Sequence, residues 1–234
     1  MSTKRSLNKP VLFLIIALVA VIVILGCFLL NSNKKSSASE QDTSLSISDT
    51  VKIQKEQGDL FSKSDDDILY AFYAAKKQYA KVSGTSKSEK QIKEDLARTA
   101  ALCWYARKHD MIPSDKDMEK YMDELVLNVK ESEEYPEYEQ AAEDLGTTYE
   151  KILCSNLNAY RVTQTIENVY VAFTEPYETN EQMTVDEQEE HDQKVQKAWE
   201  AYQDKIEAKY KRSAGYKQFC TDFAACQKKY QSEA

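Results

Sequence analysis

Helix breakers are scarce in this chain, and their placement constrains its fold more than any other feature. Five Gly and four Pro occur in 234 residues. Gly58, Gly84, Pro113, Pro136, Gly146, Pro176 and Gly215 fall between stretches with helical periodicity, while Pro10 and Gly26 belong to an N-terminal apolar segment. Inside a helix a Gly costs roughly 1 kcal/mol and a Pro roughly 3 kcal/mol. Breakers kept to boundaries predict an all-α, multi-helix protein.

Capping patterns and apolar stripes set the expected boundaries. Ser64 with Asp67 opens a helix carrying Ile68, Leu69, Phe72, Ala75, Tyr79 and Val82, closed by Gly84. Ser88 with Gln91 opens a second, with Ile92, Leu96, Ala100, Cys103 and Ala106 on one stripe. Ser114 with Asp117 opens a third, with Met118, Met122, Leu125 and Val129. A short helix follows Pro136 and stops at Gly146. Thr147 with Glu150 is read as the cap of one long helix reaching Phe173, whose stripe includes Asn156, Tyr160, Tyr170 and Phe173. Thr184 with Glu187 caps the next, carrying Val195, Trp199, Tyr202, Ile206 and Tyr210. A last helix follows Gly215. Val51 to Phe61 stays open between a frayed helix, an irregular segment and a short strand.

The N-terminal portion reads differently. Residues 1–9 form a short basic tail, and Val11 to Leu30 is a run of uncharged, almost wholly apolar residues. Such a run spans a hydrocarbon core as a helix. Lys4, Arg5 and Lys9 precede it, which puts the N-terminus in the cytoplasm and the bulk outside. Residues 10–30 are thus a single transmembrane anchor or, alternatively, a lipoprotein signal. Ile24-Leu25-Gly26-Cys27 resembles a bacterial lipobox, in which Cys27 would carry the lipid. Residues 31–50, Ser-rich and polar, read as a flexible linker, and 51–234 as the extracytoplasmic helical domain. Beyond Leu30 there are 28 basic and 39 acidic residues, a net −11. Phosphate binding needs a basic face, so nucleic acid is not an expected partner.

The stretch from Leu96 to Leu125 turns one helix into the next. Ala106, Asp110, Met111, Ile112, Pro113, Ser114, Asp115, Met118 and Tyr121 resemble the N-terminal chaperone domain of the SurA/PrsA family, which is related to the trigger factor C-terminal domain. The usual Gly of that phrase falls here at Asp110 or Met111. A second phrase, Tyr138, Leu145, Gly146, Thr147 and Tyr149 to Ile152, resembles the same family, and the likeness covers roughly residues 64–173. The resemblance implies a holdase on a membrane anchor that binds unfolded exported proteins without a cofactor. Family foldases also insert a parvulin prolyl-isomerase domain. The roughly 60 residues after Phe173 read as helices, and no room remains for that module. Flat amphipathic rings and flexible Met suit varied partners. The candidate client contacts are Trp104, Met111, Met118, Tyr121, Met122 and Tyr138. The alternative is a membrane-tethered adaptor for one envelope protein.

No catalytic arrangement competes with a binding role. Nucleophile-elbow, P-loop and HExxH patterns are absent, so no catalytic or metal residue is assigned. Cys103 and His109 are six apart on one helix and point away from each other. The acidic runs Asp65–Asp67 and Glu131–Glu134 lack the alternating oxygen ligands of a calcium loop. Cys103, Cys154, Cys220 and Cys226 are expected as free thiols, with a cross-helix pair such as Cys103–Cys154 as the alternative.

Overall fold

The computed structural model of the chain describes residues 46–62, 68–82, 87–177 and 184–233. These are all-helical: α1 (Ile47–Ser62), α2 (Ile68–Val82), α3 (Glu89–Lys108), α4 (Asp115–Lys130), α5 (Tyr135–Asp144), α6 (Tyr149–Ser155), α7 (Leu157–Thr174), a 3-10 turn (Glu175–Tyr177), α8 (Val185–Lys211) and α9 (Ala214–Glu233). No strand occurs among the described residues. The apolar run Val11–Leu30, Cys27, the Ser64/Asp67 pair, Gly84 and Asn180 lie outside them. Among the described residues no helix is long and apolar enough to cross a membrane.

Side-chain caps fix most starts. Ser114 accepts from the Asp117 amide while Asp117 accepts from the Ser114 amide, a reciprocal box, and Thr184 and Glu187 repeat it for α8. Ser88 and Gln91 do the same for α3. α1 starts earlier than the linker reading allows, because Ser46 caps the Asp49 amide at 3.1 Å. Residues 47–50 are therefore helical, and Val51–Phe61 is a regular helix.

Two helix ends need a left-handed residue. At the end of α5, Gly146 has φ 73°, the Thr147 amide donates to Ala142 O at 3.1 Å, and the Gly146 amide to Glu143 O at 2.8 Å. That is a Schellman cap. At the end of α3 the same position is filled by Asp110, φ 55°, with the Met111 amide donating to Ala106 O at 3.0 Å. Asp is among the few L-residues that tolerate this region.

The chain divides into two compact units. Unit 1 takes the described residues up to Ile92 together with Ser114–Thr163; unit 2 takes Lys93–Pro113 and the described residues from Gln164 on. In unit 1, α1 is the central element, packed against α2, α5 and α6. Its buried side is Val51, Ile53, Gln54, Gln57, Gly58 and Phe61. Gly58, read from sequence as a boundary, is buried inside this helix. A Cβ there would sit 1.8 Å from Ser155 Oγ and 2.8 Å from Ser155 Cβ, so the helices cross in near backbone contact. The core is completed by Met118, Met122, Leu125 and Val129 of α4, Ala141 and Ala142 of α5, Ile152 and Leu153 of α6, and Tyr160 of α7.

The crossing also explains a broken helix. The expected single helix to Phe173 is instead α6 and α7, and α6 is capped by Thr148, which accepts from the Lys151 amide, rather than by Thr147. Asn156 stands at the corner, nine-tenths buried. Its side-chain amide donates to Gln54 O of α1 at 3.0 Å and to Ile152 O at 2.8 Å. A buried polar group must be paired, and the pairing fixes the corner.

Unit 2 is built on α8. Val195, Trp199, Tyr202, Ile206 and Tyr210 recur at helical spacing on it, and Phe219, Phe223 and Cys226 of α9 join the buried set. Arg98 of α3 donates to Glu207 at 3.2 Å and to Asp204 at 3.0 Å, and Lys211 lies 2.6 Å from the other Glu207 oxygen. The nearly buried Glu207 carboxylate is thereby matched by two cations.

Candidate functional site

α8 turns its aromatic stripe to rings from α3 and α7. Trp199 stands edge-on to Tyr170 with centroids 5.1 Å apart, and lies 5.2 Å from Phe173. Phe173 in turn packs on Tyr202 at 5.0 Å and Tyr177 at 5.3 Å. These offset and edge geometries are the favoured ones for rings. Tyr202 donates to the Tyr105 hydroxyl at 2.6 Å, and His109 lies against the Tyr105 ring at 4.1 Å. Burial and the Tyr105 hydroxyl together push the Tyr202 phenol up to about 12. Trp199 is buried, whereas Tyr105, Phe173, Tyr177 and Tyr202 are only half-buried.

Over this cluster the α7 helix leaves apolar side chains in water. Tyr170 is 38 % exposed and Val171 56 %. Ile112, 40 % exposed, belongs to the corner after α3. Asn168 ties that corner to α7, its amide donating to Met111 O at 2.9 Å. Tyr170 thus borders a half-open aromatic cluster, and Val171 and Ile112 are exposed in the same unit. Exposed apolar groups in a cluster mark interaction surfaces more often than scattered ones do.

A second run of rings in unit 2 is more closed. Trp104 lies 5.8 Å from Tyr210, with Lys108 Nζ 4.0 Å above its ring, a cation–π contact. Tyr210, Tyr216, Phe219 and Phe223 continue the run. The Tyr210 phenol, pushed up to about 12 mainly by burial, donates to Gly215 O at 3.3 Å.

Compared with known protein families, curated proteins and solved structures, the chain gives no match.

The six contacts expected from sequence divide between the two units. Met118 and Met122 are 1 % and 7 % exposed and fill the unit 1 core; they are core residues, because the α4 stripe that carries them is the buried one. Tyr121 and Tyr138 pack on the same core, Tyr138 with its ring 4.9 Å from Tyr149. Trp104 and Met111 belong to unit 2. The Trp104 face is covered by Lys108, and Met111 is half-buried. Tyr170 and Val171 went unrecognised because they continue a stripe that reads as buried. Their signal was a stripe too wide for one helix to bury, since Ile166, Val169, Tyr170 and Phe173 are followed by Val171 and Ala172. Cys103, Cys154, Cys220 and Cys226 are free thiols. Among the described residues no group of three His, Cys, Asp or Glu could hold a metal ion.

Proposed function

We propose that this chain is a membrane-tethered chaperone of the holdase type, with its helical domain outside the cytoplasmic membrane, and that it binds exposed apolar segments of exported proteins without catalysing prolyl isomerisation. The observation that carries this reading is the half-open aromatic cluster of unit 2, with Tyr170 at its edge and Ile112 and Val171 exposed in the same unit. Rings that are partly wet offer large contact area with few torsions to freeze, so they lose little entropy on binding. The corner phrase that resembles the SurA/PrsA chaperone domain supports the reading. Asp110, one of the two positions at which the family's Gly would fall, holds a left-handed conformation. The apolar run Val11–Leu30 supports the tether.

A second reading is an adaptor for one envelope protein. It is favoured by the withdrawal of Met118 and Met122 into the core, which removes two flexible side chains that a surface for varied clients would use.

Light scattering of a chemically unfolded client at rising concentrations of the full chain tests the proposal. Suppression of scattering for several unrelated clients is expected, with no acceleration of a proline-limited refolding reaction. No suppression at several-fold excess would favour the adaptor, and catalysed isomerisation would overturn the assignment of residues 174–234.

A further inference from the structure

From Val162 on, α7 and the 3-10 turn after it carry only acidic charges. No Lys or Arg occurs from Val162 to Gln193, while nine Asp and Glu do. Glu167 lies one turn before Tyr170 and Val171 on the same side of the helix, by the three- and four-residue spacing. It is half-buried, its carboxyl is held up by that burial, and the one group that holds it down is the Gln164 side chain. Among the described residues it has no cationic partner. Glu175 opens the 3-10 turn next to Tyr177 and is exposed. His191 Nε2 lies 3.0 Å from Tyr177 O, which brings the exposed Glu190 and Asp192 of α8 to the same turn. A half-buried carboxylate without a counter-charge costs free energy that an incoming cation returns.

We propose that the occupant of this face is a cationic amphipathic polypeptide segment. Its apolar side chains rest on Tyr170 and Val171, and its lysines or arginines reach Glu167 and Glu175. The inference rests on the reading of unit 2 as a protein-binding face and names the class of segment it selects. Charge complementarity decides between occupants. An anionic lipid surface or a nucleic acid would meet carboxylates of its own sign. A second copy of this chain, at −8, carries net charge of the same sign.

The test uses the purified full chain and short labelled peptides in which Phe alternates with Lys, Phe with Glu, or Ser with Lys. Fluorescence anisotropy reads the affinities. The Phe/Lys peptide is expected to bind about tenfold more tightly than the Phe/Glu peptide at low salt. At ~1 M salt that ratio should collapse while residual apolar binding remains. Glu167→Gln should reduce the ratio without weakening Phe/Glu binding, and Val171→Ser should weaken both Phe-containing peptides. Equal affinity for the Phe/Lys and Phe/Glu peptides would overturn the inference and, with client aggregation still suppressed, leave the holdase reading standing. A ratio untouched by Glu167→Gln would overturn it as well. So would self-association of the full chain that Val171→Ser abolishes. If no peptide binds and client scattering is unaffected, the binding reading itself falls.

Discussion

Tyrosines mark the difference between the two units. In unit 1, Tyr70, Tyr73, Tyr149 and Tyr160 are buried while Tyr79, Tyr121, Tyr135 and Tyr138 are half-buried, and the core around the buried rings includes Ala141, Ala142 and Met or Leu side chains. In unit 2, Tyr210 is buried, Tyr105, Tyr170, Tyr177, Tyr202 and Tyr216 keep part of their rings in water, and Trp199, Phe219 and Phe223 stand among the buried positions with Leu96, Leu102, Val195 and Ile206. Small residues let backbones approach and close over a ring completely. More of the unit 2 tyrosines are left with an exposed edge.

The largest expected contrast is between core and face substitutions. Met118→Ala, in the unit 1 core, should cost about 2–5 kcal/mol. Val171→Ser, on the exposed face, should change stability by less than about 0.5 kcal/mol. Urea unfolding followed by circular dichroism measures both. Similar costs at the two sites would erase the distinction. Gly58→Val should cost about 2–3 kcal/mol, since its Cβ collides with Ser155 and the crossing has no room to give. A neutral result would mean that α1 and α6 can move apart freely.

The two left-handed caps separate conformational cost from packing. A Cβ at Gly146 meets nothing within 4 Å, so Gly146→Val tests φ alone and should destabilise by about 1–2 kcal/mol. Asp110→Gly should stabilise by up to about 1 kcal/mol at the matching position of α3. Opposite signs are the expected thermal-melting result, and equal signs would contradict the shared cap geometry.

The smallest effect is one of pH. Tyr202 and Tyr210 in unit 2 are pushed up to about 12, from an ordinary value near 10. A raised folded value means that the native state holds the proton more tightly. Their contribution is therefore complete below about pH 10 and is lost as pH rises toward 12. Tyr149 and Tyr160 in unit 1 are raised by deeper burial. Spectroscopic titration should find that Tyr202→Phe and Tyr210→Phe each remove a transition preceding those of the unit 1 pair. Ionisation of Tyr160 first would reverse the comparison.

Much of this was legible along the chain. The boxes at Ser88, Ser114 and Thr184 announce their helices, and Gly146 falls where a left-handed cap is required. α1 was harder. Its box at Ser46 and Asp49 is plain, but Gln54, Gln57 and Gly58 stand on its buried side and break the apolar pattern. The corner at Asn156 could not be read, because the apolar spacing runs straight through it. Only the Gln54 carbonyl, a hundred residues away in sequence, decides it. Met118 and Met122, expected as contacts, are core residues for a related reason. A stripe of Met and Tyr looks the same whether a partner helix or water lies opposite, and the unit 1 stripe faces a core.

Both tryptophans of the chain, Trp104 and Trp199, belong to unit 2. Intrinsic Trp fluorescence therefore observes the proposed face directly, with Trp199 5.1 Å from Tyr170. Titrating the full chain with an unfolded client that lacks Trp should shift the emission in step with suppression of client aggregation. Val171→Ser should weaken both together. Aggregation suppressed with no change in emission, and indifferent to Val171→Ser, would contradict the assignment of binding to unit 2.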